Sequence, residues 1–147
     1  MGIRYKLTGF HFHRPSEGQI EGKPYDMELH LMHQSEEGQM AIIAVMIEAG
    51  REHPLIQTLL NNLPLEWGTD VSPTDPIDPM QLLPETLGYW TYIGSLTTPP
   101  CTEEVVWMVM KQPLQISIEQ IEVFKRFYRK NARPLQPLNG RLIKESR

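Results

Sequence analysis

Three histidines stand where they can hold one metal ion: His11 and His13 in Phe10-His11-Phe12-His13, and His30 in Glu28-Leu29-His30-Leu31. Alternate side chains of a β-strand share a face, so His11 and His13 can converge while Phe10 and Phe12 point into a core. A neighbouring strand would supply His30. Three neutral imidazoles suit zinc, and a fourth tetrahedral position left to water distinguishes catalytic sites from closed structural ones. Glu28, two residues before His30 and on the same strand face, can fix that ring's tautomer and orientation. Hydrolytic or hydration chemistry is the class such a set supports. The same alternation turns His33 away from His30, and His53 stands beside Pro54 in a loop. His33 is expected to be structural or on the surface and His53 solvent-facing, and neither is a ligand.

The elements that must carry these side chains read as mainly β. Lys6 to Arg14 and Tyr25 to His33 are rich in β-formers, and Gly18 to Pro24 between them holds turn residues, so they form a strand pair. Met40 to Ile47 continues as a buried strand after a break at Gly38-Gln39. Leu55 to Leu63 has the apolar spacing of a short helix with Pro54 at its start. Recurrent prolines from Pro64 to Pro84 predict an irregular covering loop. Strands return at Tyr89 to Ile93 and Val105 to Met110, separated by Ser95 to Pro100, which is too rich in proline to pair along its length. Ser117-Ile118-Glu119-Gln120 fits a capping box opening an amphipathic helix through about Lys130, and Arg133 to Leu138 is extended. The expected fold class is α+β and mainly β: a central twisted, largely antiparallel sheet with short peripheral helices, in one domain over residues 1–147.

Composition narrows the function classes. With 147 residues and 40% hydrophobic content, one domain with a real core is expected. A net charge of −4 with interspersed Lys and Arg provides no basic stripe, which argues against nucleic acid as a partner. The longest apolar runs, Met40 to Ile47 and Val105 to Met110, are too short to span a bilayer, so a soluble protein without a membrane partner is expected. Met1-Gly2-Ile3-Arg4-Tyr5 lacks the features of a secretory signal, which leaves a cytoplasmic protein or one whose signal has been removed. Cys101, the lone cysteine, has no intrachain disulfide partner and reads as a small half-buried thiol.

Four segments, in order along the chain, resemble an α-class carbonic anhydrase: Phe10-His11-Phe12-His13, Glu28 to His33, Tyr89 to Pro100 and Arg133 to Leu138. Arg14-Pro15-Ser16-Glu17 and Pro99-Pro100-Cys101-Thr102-Glu103 are more similar to bacterial members than to animal ones. The resemblance implies reversible hydration of carbon dioxide to bicarbonate and a proton by zinc-bound hydroxide, making the chain a zinc lyase. His11, His13 and His30 match the zinc ligands, and Glu28 matches the carboxylate behind the third. Thr97 matches the threonine that accepts a hydrogen bond from hydroxide and donates to a buried glutamate, here Glu17. Thr98 lines the site, and Met32, Ile42, Leu96, Val105 and Trp107 match the apolar wall that receives carbon dioxide. A backbone carbonyl near Asn131 matches the acceptor for the second histidine. A periplasmic or extracellular location is implied as well.

Several departures from the family pattern carry expectations of their own. The chain starts where the family's central sheet is already under way, so the N-terminal third or so of the usual domain is missing. No histidine matches the family's proton shuttle, and Cys101 matches a cysteine whose bacterial partner lies in the missing part. Apolar sheet surface left uncovered favours a homo-oligomer, most simply a dimer. Gly9 stands where the family has a glutamine orienting the first zinc histidine. Two other readings compete. A cupin would use His11, His13 and Glu17, but its second motif is absent. A catalytically weak or inactive zinc-binding scaffold of the same fold is the alternative function.

Overall fold

Period-two alternation from Tyr5 onward builds the first strand and sets everything that packs on it. The computed structural model describes residues 4–14, 16, 19–20, 22–60, 79–97, 101, 103–127 and 142–146. In chain order the elements are β1 (Tyr5–His13), β2 (Gln19–Ile20), β3 (Lys23–Pro24), β4 (Met27–Ser35), β5 (Met40–Ala49), α1 (Pro54–Leu60), a 3-10 turn (Pro79–Leu82), β6 (Tyr89–Gly94), β7 (Val105–Met110), β8 (Leu114–Ile116), α2 (Ile118–Phe127) and β9 (Lys144–Glu145). One sheet runs β1-β4-β5-β7-β6-β9, with β8 also pairing β5. The pairings made by β4 and by β6 are antiparallel, whereas β5 meets both β7 and β8 in parallel. The sheet is therefore mixed: the expected antiparallel pairs are joined by a parallel centre.

Alternation sorts the side chains onto two faces. Phe10, Phe12, Leu29, Leu31, Val45 and Ile47 lie in one core cluster with Leu55, Ile56 and Leu59 of α1 and Ile121 and Phe124 of α2. The helices thus cover this face, and the Phe12 and Phe124 rings meet with centroids 4.7 Å apart. Burying a side chain of Phe124's size contributes about 1.5–3 kcal/mol. The other face carries a second cluster, Ile42, Ala44, Val105 and Trp107. A β-bulge keeps β1 in phase with both. Leu7 pairs with His33 and Gly9 with Met32, leaving Thr8 as the extra residue. Leu7 and Phe10, three residues apart, consequently pack on the same core.

The expected capping box forms: Gln120 N–H donates to Ser117 Oγ (3.1 Å), and Ser117 N–H donates to Gln120 Oε1 (3.0 Å). Its helix is described to Phe127. Three features differ from the sequence expectation. Pro79–Leu82 is a 3-10 turn inside the stretch expected to be irregular, whereas residues 61–78 lie outside the described set. β8 and β9 are strands of three and two residues, too short for a period to register. His53 is half-buried rather than solvent-facing. Its Nδ1 accepts from Ile56 N–H (3.3 Å) at the start of α1, so its Nε2 is the protonated nitrogen and donates to the Gln81 carbonyl (3.0 Å). The expected extended segment Arg133 to Leu138 lies outside the described residues.

Candidate metal centre

The antiparallel register of β1 and β4 brings the histidines together. His11 is directly across from His30, and His13 is across from Glu28. His13 and His30 are 2% and 1% exposed, while His11 is half-buried. Ring centroids lie 4.7 Å apart for His11 and His13, 5.3 Å for His11 and His30, and 4.5 Å for His13 and His30. One ring nitrogen from each lies within 4.8 Å of the others, and this is the metal-ligand cluster found among the described residues. His30 Nε2 bonds the Glu28 carboxylate. A carboxylate accepts, so Nε2 carries the proton and Nδ1 keeps its lone pair for a metal. Glu28, 3% exposed, has that hydrogen bond to offset its loss of water. The donor set is wholly imidazole, backed by a carboxylate, and it fits zinc.

The residues expected to receive substrate gather on the same face. Glu28, His30 and Met32 alternate along β4, and Met32 lies across from Ile42, which lies across from Trp107. Met32 and Leu96 pack against the buried cluster that contains Ile42, Val105 and Trp107, so the five expected wall residues form one apolar group. Trp107 reaches His30, with ring centroids 4.9 Å apart and planes at 79°. Ala44, Tyr92 and Val109 belong to this group too, and the sequence reading does not single them out. Alternation from Trp107 and across to β6 is the signal that marks them.

Thr97 is half-buried in the bend that follows β6, next to Leu96. Glu17, Thr98 and Asn131 lie outside the described residues. Gly9 sits beside the bulge on the His11 side of β1, across from Met32. Thr8 Oγ1 donates to the Met32 carbonyl (3.2 Å). Cys101 is half-buried and adopts a left-handed φ of 56°. His33, on the helix-covered face, has Nδ1 2.9 Å from the Leu31 carbonyl.

Three convergent imidazoles thus lie beside an apolar cluster on one face of the sheet, an arrangement suited to a metal centre acting on a small apolar substrate. A family model described as eukaryotic-type carbonic anhydrase matches residues 1–147, and the chain belongs to this family. It is 45% identical over 144 residues to a carbonic anhydrase of a Nostoc species, covering 97% of this chain and 54% of that one. A carbonic anhydrase of Neisseria gonorrhoeae is 43% identical over 145 residues, covering 98% and 57%. The α-carbonic anhydrase of Thermovibrio ammonificans, solved with the inhibitor sulfanilamide, superimposes with a TM-score of 0.90 at 42% identity, covering 97% and 63%. The fold is accordingly that of an α-carbonic anhydrase. The chain spans between about half and two thirds of the length of these relatives. Among the described residues, no helix is long and apolar enough to cross a membrane.

Proposed function

We propose that this chain catalyses the reversible hydration of carbon dioxide to bicarbonate and a proton, with zinc held by His11, His13 and His30. The observation that carries this reading is the convergence of three imidazoles, one of them backed by Glu28, on the sheet face that also bears the apolar cluster. When bound, zinc supplies the Lewis acidity that makes a hydroxide nucleophile available near neutral pH, chemistry for which carbonic anhydrase is itself the standard example. Glu28 holds the third imidazole in the tautomer that presents Nδ1. By family resemblance, Thr97 is the hydroxyl that would donate to the carboxylate of Glu17; a hydroxyl committed as a donor in that way can only accept from a hydroxide, which would orient the nucleophile's lone pair. Met32, Ile42, Leu96, Val105 and Trp107, packed in one cluster, receive carbon dioxide, an apolar molecule with little use for polar partners, and Thr98 is assigned to the same site by resemblance alone.

The proton has a harder exit. Of the five histidines in the chain, three are the proposed ligands. His33 is on the opposite face, and His53 caps α1. Turnover at high carbon dioxide is therefore expected to rise severalfold as imidazole buffer is added at constant pH and ionic strength. A rate indifferent to buffer would count against this part of the reading.

A homodimer belongs to the proposal. Ile93 in β6 and Leu142, two residues ahead of the neighbouring β9, are 53% and 70% exposed. Apolar side chains so placed favour association with a second copy. Light scattering is expected to give twice the chain mass, and a clean monomer would contradict it. Carbonic anhydrase activity itself is tested by stopped-flow hydration with the zinc-loaded chain. Zinc uptake without hydration would instead favour a scaffold of the same fold.

A further inference from the structure

Glu28 restrains one nitrogen of the His30 imidazole, but a hydrogen bond to one nitrogen does not by itself fix the plane of the ring. The Trp107 indole supplies that restraint. It stands at 79° to the imidazole with centroids 4.9 Å apart, a perpendicular contact that a twist of His30 would break. Ala44, directly across from His30, carries only a methyl and so leaves space between the strands for the larger ring.

Trp107 is itself held from three directions. Its Nε1–H donates to the Ser95 carbonyl (3.0 Å). Tyr92, its cross-strand partner, lies parallel to it, with centroids 6.3 Å apart and planes within 5°. The third restraint is an absence of atoms. A Cβ on Gly94 would lie 2.9 Å from Tyr92 Cε2, 3.0 Å from Trp107 Cδ1 and 3.2 Å from Trp107 Nε1. Gly94 has no left-handed φ, so its backbone would tolerate alanine, and the nearest atoms a side chain would meet belong to the two rings. A side chain at position 94 would crowd the indole where it bonds the Ser95 carbonyl and meets His30.

We propose that Tyr92 and Gly94 are positioning residues for the metal ligand His30, acting through Trp107. Glu28 sets which nitrogen of His30 faces the metal, and the Tyr92–Trp107–Gly94 arrangement sets the plane in which it points. The proposal rests on the metal-site reading of His30. A purely structural role in packing predicts loss of stability with the ligand geometry unchanged.

The test compares Gly94→Ala, Tyr92→Leu and Tyr92→Phe in the full chain, with folding checked by circular dichroism. In the metal-free protein, the imidazole C–H resonances of His30 are expected to move in Gly94→Ala and Tyr92→Leu and to stay in place in Tyr92→Phe, which keeps the stacked ring. In the cobalt(II)-substituted protein, the visible ligand-field bands are expected to shift in the first two variants only. Zinc dissociation from those two is expected to quicken by roughly 10-fold, the lower end of what outer contacts to a metal ligand command. If Gly94→Ala does not fold, Tyr92→Leu decides, since its side chain remains apolar and adds nothing at position 94. Unmoved His30 resonances and wild-type cobalt bands in a folded Tyr92→Leu or Gly94→Ala chain would overturn the proposal, even if the melting temperature fell. Failure of the unmodified chain to take up zinc or cobalt would refute the metal-site reading, whereas the metal-free resonances would still decide whether Trp107 orients His30.

Discussion

Replacing His30 by alanine is expected to abolish zinc retention and reduce carbon dioxide hydration to the uncatalysed rate. Two losses combine at this position. One imidazole leaves a set in which three ring nitrogens lie within 4.8 Å of one another. The remaining pair, both on β1, offers too few ligands for the tetrahedral site that catalytic zinc requires. In addition, Glu28 stays behind, 3% exposed and without the imidazole it bonds. Losing a hydrogen bond to a buried charged group costs about 1.5–3 kcal/mol. His11→Ala separates the two effects. His11 is a half-buried ligand, and removing it leaves the His30–Glu28 bond intact, so its loss should release metal with a smaller fall in stability. Zinc content and urea denaturation of both metal-free variants check the pair. Retained zinc in His30→Ala would contradict the ligand assignment.

Thr97→Val is expected to leave zinc in place and lower kcat by about 100-fold, the scale of loss that follows misplacement of a reacting group. The substitution keeps a β-branched side chain at a half-buried bend and removes only the hydroxyl proposed to orient hydroxide. Because the apolar wall is untouched, KM should change far less than kcat. Activity near that of the unmodified chain, at equal zinc content, would remove Thr97 from the mechanism.

Much of this site was legible because a strand has a period of two. That period alone separates His11 and His13 from Phe10 and Phe12, and Glu28 and His30 from Leu29 and Leu31. It also predicts that Glu28 can reach the His30 ring, which it does. What sequence could not supply is pairing across distance. The parallel meeting of β5 with β7 joins Ile42 to Trp107, and no local pattern announces a partner so far along the chain. The bulge at Thr8 is hidden for a related reason. It shifts the phase of β1 by one residue, which is visible only once Leu7 and Gly9 are aligned with His33 and Met32.

Two other misses have local chemical causes. His53 reads as an exposed loop histidine because its partners, Ile56 as donor and Gln81 as acceptor, depend on how α1 and the 3-10 turn meet. Gly94 is not singled out by the sequence, because what a side chain there would strike depends on where the Tyr92 and Trp107 rings lie. The apolar wall is implied by family resemblance, and its five residues, Met32, Ile42, Leu96, Val105 and Trp107, pack in one cluster. Glu17 and Thr98 enter the mechanism, and Asn131 the expected support of the second histidine, through resemblance alone.

The most direct test is zinc content measured together with carbon dioxide hydration on the same preparation of the chain, before and after removal of metal by a chelator. The proposed mechanism predicts one zinc per chain, hydration that disappears with the metal, and hydration that returns in proportion to zinc added back. Hydration that does not follow zinc content, or a chain that holds no zinc at all, would contradict it.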